Sequence, residues 1–195
     1  MKIILSIIIG YLIGCFSSAY FVGKMSKGID IRLHGSGNAG ATNALRVMGL
    51  KLGALTFFLD AIKGIIAVII GRFIMGYNGG LICGFFAVIG HNWPIFLQFN
   101  GGKGVATSIG VLTSLHFFSA LASAPLAIVI IFITRFVSLG SMVYLISVPI
   151  TYTLVASDFR KEHFLVALLL ALLSIYRHKS NIERLLTGTE NKIGR

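Results

Sequence analysis

Long apolar runs alternate with short polar segments along the whole chain. Apolar runs cover residues 3–23, 53–73, 79–99, 138–157 and 163–177, and a longer one extends over 105–136. A helix needs about 20 apolar residues to cross roughly 30 Å of hydrocarbon. Each shorter run therefore predicts one transmembrane helix. The 105–136 run is too long for one upright span, and Ser114-Leu115-His116 and Ser119 near its middle predict a tight turn between two short helices. The fold class expected is all-α, a polytopic membrane helix bundle of seven transmembrane helices forming a single domain over residues 1–195. Six spans is the alternative count.

Composition supports lipid as the solvent. Of 195 residues, 56% are hydrophobic and only 12% charged, whereas soluble domains carry about 25% charged residues. The net charge of +11 does not point to nucleic acid, because that reading needs a basic face on a soluble module. Positive charge retained on the cytoplasmic flanks of membrane spans accounts for it, and the same charge attracts anionic head groups and phosphorylated substrates. With seven spans, one side receives Lys24, Lys27, Arg32, Arg46, Lys51, Lys103, Arg135, Arg177, Lys179, Arg184, Lys192 and Arg195; the other receives Lys2, Arg72, Arg160 and Lys161. That bias predicts an external N-terminus and a cytoplasmic C-terminus. Only the seven-span count brings the polar segments 24–52, 91–104 and 177–195 to one side, because even numbers of spans then separate them. Cys15 and Cys83 sit in apolar runs and read as small buried hydrophobes. Leu12-Ile13-Gly14-Cys15 looks like a lipoprotein processing site, but a chain of this kind needs no further anchor.

The chemistry lies in the polar segments. Gly35-Ser36-Gly37-Asn38-Ala39-Gly40 has the spacing of a dinucleotide fingerprint without the preceding strand that fingerprint requires. Its physics survives: glycines let backbone N–H groups converge on an anion, and a helix N-terminus adds favourable partial charge. A short helix over 39–48 would place Asn38, Thr42 and Arg46 on one face, with Asn43 beside them. No carboxylate lies between Arg32 and Lys51, which suits a phosphate. The second segment ends in Gly101-Gly102-Lys103-Gly104 and again sets glycines and a lysine at a helix start, since the next apolar run begins at Val105. In the third, Arg177, Asn181 and Arg184 recur at helical spacing opposite Ile182, Leu185 and Leu186, the pattern of an interfacial amphipathic helix. His178 and Glu183 form an H-x4-E pair without the surrounding motifs of the large acyltransferases. Within the second run, Asp60 and Lys63 share a helix face, as a structural or a catalytic pair.

Taken together, Gly35–Gly49, Gly101–Thr107 and Tyr176–Glu190 resemble the three motifs of the acyl-phosphate-dependent glycerol-3-phosphate acyltransferases of bacterial membranes. Phe58-Leu59-Asp60, Lys63-Gly64 and Gly90-His91 with Pro94 extend the likeness, while Lys179, Ser180 and Thr189 depart from it. The resemblance implies transfer of an acyl group from acyl phosphate to the 1-hydroxyl of glycerol 3-phosphate, giving 1-acylglycerol 3-phosphate and phosphate, the first acylation of phospholipid synthesis. It implies no cofactor and no obligate protein partner, and five scattered His with only six acids make no metal cluster; the two substrates and membrane lipid are the expected ligands. It places the enzyme in the bacterial inner membrane with its site facing the cytoplasm. Ser36, His91, Lys103, His178 and Asn181 are the expected catalytic residues. Gly35, Gly37, Asn38, Gly40, Thr42, Asn43, Arg46, Gly101, Gly102, Gly104, Arg177 and Glu190 are the expected substrate-binding residues. His91 and His178 are the candidate bases, with a substrate phosphate as an alternative acceptor. Ser36 reads as a hydrogen-bond donor rather than a nucleophile. A small transporter for an organic phosphate is the rival function, but the inverted repeat such a protein should show is absent from the sequence.

Overall fold

In a computed structural model the described residues, 1–194, are mostly helical and fall into two compact units, residues 1–115 and the described residues from 116 onward. Arg195, one of the basic tail residues, lies outside the described residues.

The first unit holds α1 (Lys2–Cys15), α2 (Ser18–Lys27), α3 (Ala41–Met48), α4 (Leu50–Asn92) and α5 (Val105–Leu115). The first apolar run is not one continuous helix. Phe16 and Ser17 adopt extended conformations and separate α1 from α2. The 43-residue α4 is broken at Met75 and Gly76, where Gly76 has φ +61°. Its two limbs then fold back on each other: a methyl on Gly71 would overlap the Gly79 carbonyl. The limbs correspond to the separate apolar runs 53–73 and 79–99. Close backbone approach is what knits this unit. A methyl on Gly10 or Gly14 of α1 would strike the carbonyls of Cys83 and Ala87, and one on Gly64 or Gly110 would strike those of Thr107 and Ala61. Small residues at helix contacts are the usual solution where lipid removes the hydrophobic drive between helices.

The second unit holds α6 (Phe117–Thr134), α7 (Val137–Val155), α8 (Lys161–Arg177) and α9 (Lys179–Leu186). The break in the 105–136 run falls at His116, whose Nδ1 accepts from the Ser119 N–H at 3.2 Å while the Ser119 hydroxyl donates to the His116 carbonyl at 3.0 Å. Between α8 and α9 the chain bends by 59°. Glu190 then pins the tail to α7: its Oε1 accepts from Ser138 (2.7 Å) and Asn181 (2.6 Å), and its Oε2 from Arg184 (2.8 Å). Burial pushes the Glu190 carboxyl up, but these three donors outweigh it and hold it below its ordinary 4.5.

By length and apolarity, Lys2–Lys27, Leu50–Leu97, Phe117–Thr134 and Val137–Val155 can each cross a membrane, and the bent pair of α8 and α9 makes a fifth if the two act as one span. Exposed Ile3, Phe73, Phe132, Ile133 and Leu154 give the outer face the apolar character that lipid requires.

Two measurements check this packing. Gly14→Leu should lower the thermal midpoint in detergent, by an amount corresponding to about 1–3 kcal/mol for overpacking. Because Glu190 is held below its ordinary value, the stability it contributes is present above that value and lost as pH falls through the lowered one. The midpoint difference between wild type and Glu190→Gln should therefore be full at neutral pH and vanish in acid.

Candidate active site

The polar loop between α2 and α3 is organised around one buried side chain. Asn43 is 2% exposed. Its Oδ1 accepts from the Ser36 N–H at 2.9 Å, and its Nδ2 donates to the carbonyls of Ile31 (3.2 Å) and His34 (3.0 Å). Gly35 (φ +60°) and Gly37 (φ +71°) supply left-handed turns that a Cβ would strain, and a methyl on Gly35 would also overlap Asn43 Oδ1. Ser36 and Gly37 thus use their N–H groups inside the loop, the latter on His34 at 3.1 Å. At the start of α3 the amides of Asn43 and Ala44 donate to the Gly40 carbonyl, while the first amides of a helix have no intrahelical acceptor. The helix begins at Ala41 with Gly40 as its N-cap, two residues later than the 39–48 expectation. Asn38 therefore lies in the loop rather than on the helix face. Thr42 and Arg46 remain one turn apart, both exposed.

Asn38 instead bridges two loops, its Nδ2 donating to the carbonyl of Gly101 at 3.2 Å. A Cβ built on Gly40 would lie 3.9 Å from Gly102 Cα. The two glycine segments, some sixty residues apart in sequence, are therefore in contact. Beside them Asp30 caps the turn Ile31–Leu33 and pairs with Arg32, whose Nη2 lies 2.7 Å from Oδ2. The bonds from Arg32 hold the Asp30 carboxyl below its usual range. Arg32 also donates to the Leu97 carbonyl at 3.1 Å and lies over the Tyr20 ring. A cavity of about 430 Å³, lined by Leu12, Phe16, Tyr20, Phe21, Phe96 and Leu97 among others, opens next to this pair.

The second segment folds against the end of α4. The Gly102 N–H donates to the His91 carbonyl at 3.1 Å, and a methyl on Gly102 would overlap the His91 ring at Nε2. Gly101 is equally enclosed by His91, Asn92 and Pro94, and Gly104 (φ +78°) makes the turn into α5. Lys103 is half-buried at this turn. Behind the loop lies a buried polar cluster of which the sequence pattern shows only the ion pair. Lys63 Nζ is 2.9 Å from Asp60 Oδ1 and 2.8 Å from His91 Nδ1. It also donates to the carbonyls of Gly14 (3.2 Å) and Phe16 (2.7 Å) at the α1–α2 break, and Ser18 donates to Asp60 Oδ1 at 2.8 Å.

In the second unit, His178 Nδ1 is 2.8 Å from the Ser174 carbonyl. A carbonyl only accepts, so Nδ1 carries the proton and a neutral ring keeps its lone pair on Nε2. Asn181 and Glu190 are engaged with each other through the 2.6 Å bond of the tail. Among the described residues, no group of three or more His, Cys, Asp or Glu side chains could hold a metal ion.

Comparison with known proteins agrees over the full length. Residues 4–188 match the family described as glycerol-3-phosphate acyltransferase. A glycerol-3-phosphate acyltransferase of Thermoanaerobacter sp. (strain X514) is 48% identical over 196 residues, covering 100% of this chain and 97% of that one. That of Alkaliphilus metalliredigens (strain QYMF) is 45% identical, covering 98% and 96%. Among solved structures, PlsY (YgiH), an integral membrane glycerol 3-phosphate acyltransferase, superposes in its glycerol 3-phosphate form with a TM-score of 0.91. That match has 37% identity and covers 100% of this chain and 96% of that one; its lysophosphatidic acid form gives 0.90. The chain belongs to the glycerol-3-phosphate acyltransferase family.

Proposed function

We propose that this chain transfers the acyl group of acyl phosphate to the 1-hydroxyl of glycerol 3-phosphate. The observation that carries the reading is the Asn38–Gly101 bond, which sets two glycine-rich, cation-bearing segments side by side. Two phosphate-bearing reactants need two such seats in contact. The hydroxyl oxygen attacks the carbonyl carbon, the bond from that carbon to the phosphate oxygen breaks, and inorganic phosphate leaves. The mixed anhydride is already activated, so positioning carries much of the work; it can supply about 7–11 kcal/mol.

In this reading Arg46, Thr42 and the amides opening α3 hold one phosphate. Lys103, with Gly101, Gly102 and Gly104 shaping its turn, holds the other and stabilises the oxyanion. Gly35, Gly37, Gly40 and Asn43 build the first loop, Ser36 donates a hydrogen bond from its exposed position, and Asn38 joins the loops. A base must take the hydroxyl proton; a substrate phosphate can do so, and His178 enters as a candidate through the family likeness. Arg177, Asn181 and Glu190 enter through the family likeness, with Glu190 as the anchor of the tail. The apolar cavity beside Arg32 suits an acyl chain arriving from lipid.

The bundle crosses a bacterial inner membrane seven times as one domain, N-terminus outside and loops cytoplasmic. The helical limbs support this count: α1 with α2, the two limbs of α4, α5, α6, α7 and α8. The bias of Lys and Arg supports the orientation.

Purified protein offered acyl phosphate, acyl-CoA and acyl carrier protein should use the first alone. Turnover with either of the others and none with acyl phosphate would remove this donor. Flux of an organic phosphate into vesicles without phosphate release would favour the transporter. Arg46→Ala and Lys103→Ala should each lower kcat/KM by about 10²–10³-fold at an unchanged thermal midpoint. Ser36→Ala should retain measurable turnover, and mass spectrometry of trapped wild type should find no acylated Ser36 peptide.

A further inference from the structure

The buried cluster behind the second glycine loop fixes the proton inventory of His91. Asp60 is 1% exposed, Lys63 and His91 5% each. A carboxylate at that depth needs a counter-charge, and Lys63 Nζ at 2.9 Å from Oδ1 provides it. Of the two nitrogens 2.8 Å apart, Lys63 Nζ and His91 Nδ1, the amine is ordinarily much the stronger base. The shared proton therefore belongs to Lys63. An ammonium has no lone pair and can only donate. His91 Nδ1 must then accept, sharing the ammonium's protons with the carbonyls of Gly14 and Phe16. The competing arrangement, Nδ1–H toward Asp60 Oδ1, is 3.5 Å long and would turn an N–H against the ammonium.

With Nδ1 accepting, a neutral imidazole carries its proton on Nε2. That atom lies against the backbone of Gly102, within the Gly101–Gly104 turn. Resting on the acyltransferase reading, we propose that Asp60 and Lys63 are positioning residues of the reaction. They lock His91 as an Nε2–H donor in the second anion loop and so exclude it from the role of proton acceptor. The same ammonium binds the two carbonyls released where α1 breaks from α2. One side chain thus ties the broken first span to the loop that seats a reactant. His178 has the opposite tautomer, so the two histidines are not interchangeable.

The test is nitrogen NMR on detergent-solubilised protein with ring-15N histidine, the His91 signals being identified by their loss in His91→Gln. Wild type should show a protonated Nε2 and an unprotonated Nδ1. This needs no turnover, so it stands apart from the donor assay. A wild-type His91 with Nδ1–H, or with both nitrogens protonated, overturns the inference while leaving the acyltransferase reading intact. Single removal of Lys63 would strand Asp60 and endanger folding, so both charges are removed together in Asp60→Asn/Lys63→Met. That variant should still fold, at a midpoint lowered by the Gly14 and Phe16 carbonyls it leaves without a donor, and should lose the uniform Nε2–H state and drop kcat at least tenfold, with a smaller change in KM. Wild-type kcat in it, or a lost kcat with the wild-type tautomer intact, also overturns the proposal. Lys63→Arg, which again can only donate to Nδ1, should recover the tautomer and part of kcat; a switch to Nδ1–H in that variant counts against it.

Discussion

A polar atom placed inside an apolar bundle has no water to turn to, so the protein itself must supply its partner. That constraint organises the first unit. The break at Phe16 and Ser17 releases carbonyls in mid-span, and Lys63 answers two of them. Lys63 in turn needs Asp60, and Asp60 takes a further bond from Ser18 just past the break. The fourth member, His91, closes α4 and carries the chain into the second glycine loop. None of these features is tolerable alone. An unbroken first span would leave the ammonium short of acceptors, and a missing ammonium would leave a carboxylate without its counter-charge and two carbonyls without a donor.

The glycines follow from the same shortage of space. Gly102 is a glycine because the His91 ring occupies the place of its side chain, and Gly35 because Asn43 does. Both loops are drawn tight by a buried residue: Asn43 through three bonds in the first, His91 in the second. What remains on the outer side of each is short of side-chain bulk and rich in donors. In the proposed reading an anion approaching there meets Arg46 and the opening amides of α3, or Lys103, while Asn38 joins the two loops. The asymmetry of helix ends favours negative charge at such a place.

The limbs of the bundle are legible in the sequence because lipid-facing helices must be apolar along their whole length. The turn between 73 and 79 shows as a pause in that pattern around Gly76. The break at Phe16–Ser17 does not show, since the residues on both sides remain apolar and only Lys63, far along the chain, explains it. The glycine loops and their cations are legible from composition and spacing. The division of labour inside them is not. Asn38, Thr42 and Arg46 at helical intervals suggest one shared face, yet Gly40 starts the helix late and leaves Asn38 to bridge the loops. Asp60 and Lys63 are visible as a pair three residues apart, while His91, 28 residues beyond Lys63, joins them only because α4 turns back on itself. Glu190 stands out through the third motif. Its three donors, one of them Ser138 more than fifty residues earlier, come from the folding of the tail onto α7.

The acids complete the electrostatic logic. Of the chain's six carboxylates, Asp30, Asp60, Asp158 and Glu190 each pair with a cation. Arg32, Lys63, Arg160 and Arg184 are thereby partly neutralised. No carboxylate lies between Arg32 and Lys51 or within 91–104, so in the proposed reading Arg46 and Lys103 lend their charge to the glycine loops. A protein that must draw two anions to one place gains from keeping its carboxylates engaged elsewhere, because an unengaged one beside either loop would repel both reactants. In the proposed reading the net +11 serves the reactants as well as the orientation of the bundle. Near the loops it belongs to a charge distribution in which Asp30, Asp60 and Glu190 are each held by a cation.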